Sequence, residues 1–277
     1  MRRLAGSRLL RIGLAVWAIL VGVAVWAAMT GRLGGEARPA SMAVNRPPAD
    51  AEAELPDPVS PAFVPPRPKL LSGFDHVSWW SPVSRSTPVR AHPGPNAPQV
   101  ARLSTRTPEG TRNLVLVLDR RHDTRGKLWV RARLPILGDD ATGWVPRSAL
   151  GGYGAVLTHL VVDVGRLTAT LYRDGKPIFE TQVGVGRPEN PTPTGEFYIR
   201  NKLTRYANAF YGPVAFGTSA RSPTLTDWPA GGFVGIHGTN RPDLLPGRVS
   251  HGCIRLRNAD ILRLERLMPV GTPLTIV

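Results

Sequence analysis

Leu167-Thr168-Ala169-Thr170-Leu171-Tyr172-Arg173-Asp174-Gly175-Lys176, running on through Pro177–Val185, sets two β-rich runs about an Asp-Gly pair. Asp-Gly supplies the two positive-φ positions that a two-residue hairpin turn needs, and the alternation beside it puts every second side chain on one face. The stretch therefore predicts a hairpin, and a β fold with it. Outward from it the same signal recurs in Val156–Val164, Gly195–Arg200, Pro213–Phe216, Phe233–His237 and Pro273–Val277. The exception is Ala259–Met268, where Ile261, Leu262, Leu264, Leu267 and Met268 recur at helical spacing. Asn258 is expected to cap that helix, and Pro269 with Gly271 to stop it. Proline and glycine in 186–195 and 239–248 predict long loops that shape a cleft. Residues 155–277 thus read as a mainly β domain with one or two short helices.

Residues 72–154 read as a second, smaller all-β domain. Its strand signals are Val77–Trp80, Val100–Leu103, Asn113–Leu118, Leu128–Arg133 and Gly143–Pro146, divided by turn-rich pieces. Pro88-Val89-Arg90 and Thr142-Gly143-Trp144-Val145-Pro146 resemble the opening and closing strands of bacterial SH3-type domains. No Cys, His or paired acids gather here, so binding or spacing is expected rather than chemistry. Arg120, Arg121 and His122 are expected at a solvated hairpin tip, with contact to an anionic polymer as the other reading.

The N-terminal quarter has a different composition. Arg2, Arg3, Arg8 and Arg11 precede an uncharged apolar stretch from Ile12 to Met29, within the length range of one membrane-spanning helix. The basic flank places the N-terminus inside and everything after Thr30 outside. Residues 1–30 are thus expected as a cytoplasmic stub and single-pass anchor. A cleaved signal peptide is the alternative, since Ala24, Ala27 and Ala28 are small, and it leads to the same compartment. Residues 31–71 hold nine prolines, from Pro39 to Pro68, with no sustained hydrophobic period. They read as a stiff, extended linker.

The formal net charge is +15. Residues 72–154 and 155–277 are each mildly basic without a long Lys/Arg run, which suits a wall polymer or membrane surface. Trp and Tyr do not interleave with Arg as a stacking groove would, so nucleic acid is not the expected partner. An oligomeric state does not follow from the sequence.

Chemistry concentrates around the one cysteine. The segment reads Gly235-Ile236-His237-Gly238-Thr239 and, after a ten-residue loop, Ser250-His251-Gly252-Cys253-Ile254-Arg255-Leu256. A thiol is mostly protonated near neutral pH and needs a base or a favourable field to act as nucleophile. His237, at the end of a predicted strand, is the expected base and later acid. If Val249–Ile254 is extended, His251 and Cys253 face the same way, and His251 then orients the thiol or supplies charge. The amides of Gly252 and Cys253 are candidates for an oxyanion hole. Arg255 either binds a substrate carboxylate or pairs with Asp260, and Arg257 is expected to be structural. Ser250 and Thr239 either orient an imidazole and bind substrate backbone or cap turns. His237, His251 and Cys253 as a zinc site is disfavoured, because their spacing matches no compact zinc motif.

With these residues in view, 155–277 resembles the L,D-transpeptidase catalytic domain, also called the YkuD fold. The resemblance rests on Ile236-His237-Gly238-Thr239, on Ser250-His251-Gly252-Cys253-Ile254-Arg255-Leu256, and on Asn190-Pro191-Thr192-Pro193-Thr194-Gly195-Glu196-Phe197. It implies a sandwich-like or barrel-like β domain and a reaction on peptidoglycan stem peptides without metal or cofactor. Cys253 would attack the carbonyl of the third stem residue, and the terminal D-Ala would leave, protonated by His237. The acyl-enzyme would then pass to an amine of another stem, giving a 3→3 cross-link. The resemblance also implies that His251 orients the site, that amides near Gly252 and Cys253 hold the oxyanion, and that Gly238, Thr239, Ser250 and Arg255 lie where substrate binds. Carbapenems acylate this type of cysteine. Transfer to water, making an L,D-carboxypeptidase, or to a protein amine, making a wall-anchoring enzyme, would use the same site. A non-catalytic wall-binding protein is the reading of another class.

Overall fold

The computed structural model describes residues 69–70, 76–138, 141–204, 209–225 and 232–277. The apolar segment at 12–29, and all of the proline-rich stretch except residues 69–70, lie outside the described residues. Among the described residues no helix is long and apolar enough to cross a membrane. The described architecture is mainly β, with one α-helix, α1 (Asn258–Leu267).

The first sheet comprises β1 (Lys69–Leu70), β2 (Ser78–Pro82), β3 (Thr87–Arg90), β4 (Gln99–Leu103), β5 (Leu114–His122), β6 (Leu128–Arg133), β7 (Thr142–Pro146) and β8 (Gly154–Val156). Their order is β4-β3-β7-β6-β5-β2-β8, with β1 added on β5. The end of the expected linker is therefore paired backbone, Lys69 opposite Arg120 and Leu70 opposite Asp119. Arg120, Arg121 and His122 are paired as well, opposite Val130, Trp129 and Leu128. The tip lies beyond them, where Asp123 gathers the amides of Arg125 and Lys127 and the indole N–H of Trp129. Strongly β-branched residues fill the core: Val89, Val115, Val117, Val130 and Val145 are fully buried.

The second sheet comprises β9 (Thr158–Asp163), β10 (Thr168–Arg173), β11 (Lys176–Gln182), β12 (Gly184–Gly186), β13 (Gly195–Leu203), β14 (Ala215–Arg221), β15 (Phe233–His237), β16 (Gly247–Ser250), β17 (Ile254–Arg255) and β18 (Pro273–Ile276). The order is β11-β10-β9-β18-β13-β14-β15-β17-β12-β16. The quoted hairpin forms as its sequence requires. Arg173 pairs with Lys176, and the two turn residues, Asp174 and Gly175, have φ of 51° and 72°.

β13 holds the layout together. Gly195–Tyr198 pairs with β18, while Ile199–Leu203 pairs with β14, with a register shift between Ile199 and Asn201 just past the changeover. One strand thus serves two stretches of sheet, bending between them as bulged strands do. Leu160, Leu171, Ile199, Phe216, Ile236 and Ile254 bury their side chains between them, with Ile261 and Leu264 of α1. The Val156–Val164 run is split: β8 belongs to the first sheet and β9 to the second.

Named contacts join the two sheets. Tyr198 donates its hydroxyl to the Leu114 carbonyl (3.0 Å), and Arg133 donates to the Glu196 carbonyl (2.9 Å). Arg200, only 2% exposed, pairs with Glu109 at 2.9 Å.

Candidate functional site

β15 and β17 run parallel, with Ile236 beside Ile254 and His237 beside Arg255. Alternation then decides the faces. Ile236 and Ile254 enter the core, while Gly235, His237, Cys253 and Arg255 share the opposite face. The Gly235 amide donates to Cys253 Sγ at 3.4 Å. A Cβ placed on Gly235 would lie 3.8 Å from His237 Cδ2 and 3.9 Å from Cys253 Sγ, so imidazole and thiol flank one backbone position. His237, His251, Cys253 and Arg255 all line one cleft, together with Phe210, Tyr211 and Phe233.

The imidazole is held in one tautomer. His237 Nδ1 lies 2.6 Å from the Gly238 carbonyl, which can only accept, so Nδ1 carries the proton. Nε2 is buried without a hydrogen-bond partner. The Tyr211 ring stands edge-on with centroids 4.9 Å apart, and Phe210 lies at 6.3 Å. This burial pushes the His237 pKa down to about 4, against the Gly238 carbonyl, which favours the cation, and with the help of nearby Arg255. Burial likewise pushes the Cys253 thiol up, more than the Gly235 amide and Arg255 draw it down. Near neutral pH the resting pair is therefore a neutral imidazole and a thiol, not an ion pair. Such a pair is equipped for proton transfer during attack on a carbonyl.

The nucleophile segment is not extended. β16 ends at Ser250, β17 begins at Ile254, and Gly252 between them has φ of 109°, a conformation that a side chain would strain. The expectation that strand parity aligns His251 with Cys253 fails for this reason, although both reach the cleft. Ser250, fully buried, braces the turn by donating to the Cys253 carbonyl (2.6 Å) and accepting from the Gly252 amide (3.1 Å). That bond engages the Gly252 N–H expected for an oxyanion hole, so the Cys253 amide is the one left from the expected pair. Thr192 adds a second brace, donating to the Gly252 carbonyl at 2.9 Å and accepting from the Gly186 amide at 2.8 Å.

Asn258 does not cap α1. The N-cap position is Arg257, without a side-chain cap bond, and Asn258 Oδ1 instead accepts from the Thr239 amide at 2.9 Å. Thr239 in turn accepts from the Arg241 amide, so its hydroxyl closes a turn. Gly238 and Gly212 approach Asn258 so closely that a Cβ on either would lie 2.4 Å from Oδ1. The loop after the base is thereby clamped between α1 and the turn that carries Phe210 and Tyr211. Arg255, 7% exposed, lies over the Phe210 ring at 4.7 Å. Asp260, the alternative partner of Arg255, accepts from Thr181 at 2.9 Å. Arg257 donates to the Leu245 carbonyl, a structural contact.

Sequence reasoning missed Phe210, Tyr211, Phe233 and the bracing roles of Thr192 and Asn258. Only Thr192 had a signal, since it lies in the segment carrying the family resemblance. Among the described residues, no three His, Cys, Asp or Glu side chains gather to hold a metal ion.

The fold and site together define a cysteine–histidine pair on a β scaffold. Residues 157–276 match the family model of the YkuD L,D-transpeptidase catalytic domain. The Bacillus subtilis (strain 168) protein YkuD, named as a candidate L,D-transpeptidase, is 36% identical over 118 residues, covering 43% of this chain and 65% of its own length. Salmonella typhimurium ErfK/SrfK, also named as a candidate L,D-transpeptidase, is 32% identical over 140 residues, 43% of each chain. The chain thus covers less than two thirds of these relatives' length. Among solved structures, the catalytic domain of an Enterococcus faecium L,D-transpeptidase is 29% identical, with 43% of this chain and 96% of that one covered and a TM-score of 0.34.

Proposed function

We propose that the chain is a peptidoglycan L,D-transpeptidase in which Cys253 is the nucleophile. The observation that carries this reading is the His237–Cys253 pair, whose imidazole is locked with Nε2 unpartnered beside the thiol's cleft. As Cys253 Sγ attacks the third stem residue's carbonyl, Nε2 takes the thiol proton, and the tetrahedral oxyanion draws on the Cys253 amide. Collapse breaks the bond to D-Ala, whose amine receives the proton from Nε2 and leaves. An incoming stem amine then attacks the thioester, gives its proton back through His237 to sulfur, and completes the 3→3 cross-link. His251 and Arg255 border the cleft, where Arg255 offers a cation to a substrate carboxylate.

In the same reading, residues 1–30 anchor the chain in the cytoplasmic membrane, 31–71 hold the rest away from it, 72–154 form an SH3-like domain, and the 155–277 catalytic part faces the wall. The basic flank and apolar length of the N-terminal segment support the anchor. The deciding experiment is mass spectrometry of products from disaccharide-tetrapeptide. A dimer lacking one D-Ala, absent with Cys253→Ala, is expected. Monomeric tripeptide alone would assign an L,D-carboxypeptidase, and no product from either protein would defeat the reading.

A further inference from the structure

A second groove meets the cleft at Phe233, whose ring belongs to the walls of both. Its other wall comes from the first sheet, from Arg102, Ser104 and Asn113 to Leu134 and Ile136. Arg106, Arg200 and Arg221 also line it, Arg200 already paired with Glu109, and none of the described residues lining it is acidic. Arg200 lies over the Phe233 ring at 3.7 Å and Arg221 at 5.1 Å, so the shared ring is fixed by cations. Asn113 is 6% exposed; its Nδ2 donates to the Ser104 carbonyl at 2.7 Å, and its Oδ1 is buried with no hydrogen-bond partner. An orphaned buried acceptor has a cost that a ligand donor would remove.

The groove thus joins an arginine-rich wall, an apolar floor and one unused acceptor to the cleft that holds the thiol. We infer that it is a subsite for a carboxylate-bearing peptide segment of the same substrate whose acyl carbon Cys253 attacks. The exposed Arg102 and Arg106 take the carboxylate, Arg200 being already paired with Glu109; Asn113 Oδ1 accepts a peptide N–H, and Leu134 and Ile136 cover small side chains. The first sheet is then part of the substrate site rather than a spacer. This inference rests on the peptidoglycan reading of the cleft, and its test separates the two.

The test uses the full chain in detergent, with Cys253→Ala as the background for binding measurements. A stem tetrapeptide with free carboxylates is titrated beside the same peptide with those carboxylates amidated. Arg102→Glu reverses one exposed charge, and Ser104→Trp fills the groove from an exposed position. Each is expected to weaken binding of the free-carboxylate peptide about tenfold. Arg102→Glu should leave the amidated peptide within about twofold, and Ser104→Trp should weaken both. Carbapenem acylation of Cys253 in the two variants, read by intact mass, should match the otherwise unaltered protein, because that small reagent needs only the cleft. Unchanged binding in both variants would overturn the subsite, and so would no binding to the Cys253→Ala protein. Equal losses for the two peptides in Arg102→Glu would overturn the carboxylate assignment. Failure of the otherwise unaltered protein to be acylated or to turn over substrate would instead count against the catalytic reading, and the binding arm would still judge the groove.

Discussion

Two equally buried groups, Asp119 in the first sheet and His237 in the second, are handled in opposite ways. In the first, Asp119 is 1% exposed and is met by Arg131 at 2.6 Å. In the second, His237 is equally buried, yet its Nε2 meets nothing. The first arrangement limits the cost of burying a charge. The second keeps the imidazole neutral and leaves one nitrogen for an incoming proton.

The contrast breaks most sharply at the nucleophile. Cys253→Ala should reduce cross-linked product by at least ~10³-fold, measured by mass spectrometry, while the thermal midpoint stays near its original value. His237→Gln should lower kcat by ~10²- to 10⁴-fold in steady-state assays with disaccharide-tetrapeptide. The same variant sharpens the comparison through pH. Between pH 6.5 and about 4 the unfolded chain protonates at His237 and the folded chain does not. Stability from this group is therefore complete above pH 6.5 and falls as pH drops towards 4, by ~3 kcal/mol. Denaturant midpoints at pH 7 and pH 4.5 should show that slope in the original protein and a shallower one in His237→Gln. An equal slope in both would mean that the imidazole does not dominate acid sensitivity.

Smaller effects are expected from the braces and from the first sheet. Ser250→Ala removes both bonds across the nucleophile turn and should cost ~1–3 kcal/mol in urea denaturation, with kcat falling more than KM rises. Arg131→Ala should cost ~1–2 kcal/mol, reduced because Arg131 is over one third exposed, and should leave kcat unchanged.

Much of this was legible in the sequence. Phe233–His237 is observed with the bounds that its composition predicts, and Asp174-Gly175 forms the turn that its chemistry demands, because local signals suffice for both. The shared face of Cys253 and Arg255 also follows from strand alternation. The alignment of His251 does not, since a positive φ at Gly252 ends the alternation and one glycine letter does not announce its angle. Asn258 shows the limit of local rules: by sequence it is a good helix cap, but a distant loop competes for the same oxygen and holds it. Phe210 and Tyr211 reach His237 from 27 and 26 positions away along the chain, without any periodic signal.

The clamp at Asn258 bears on how this protein can be re-engineered. One amide oxygen touches the start of α1, the loop beyond the base and the aromatic turn, so positions 212, 238 and 258 behave as a single unit of design. A combinatorial library that varies them one at a time should return almost only the starting residues. One that varies all three together is where altered selectivity is to be sought.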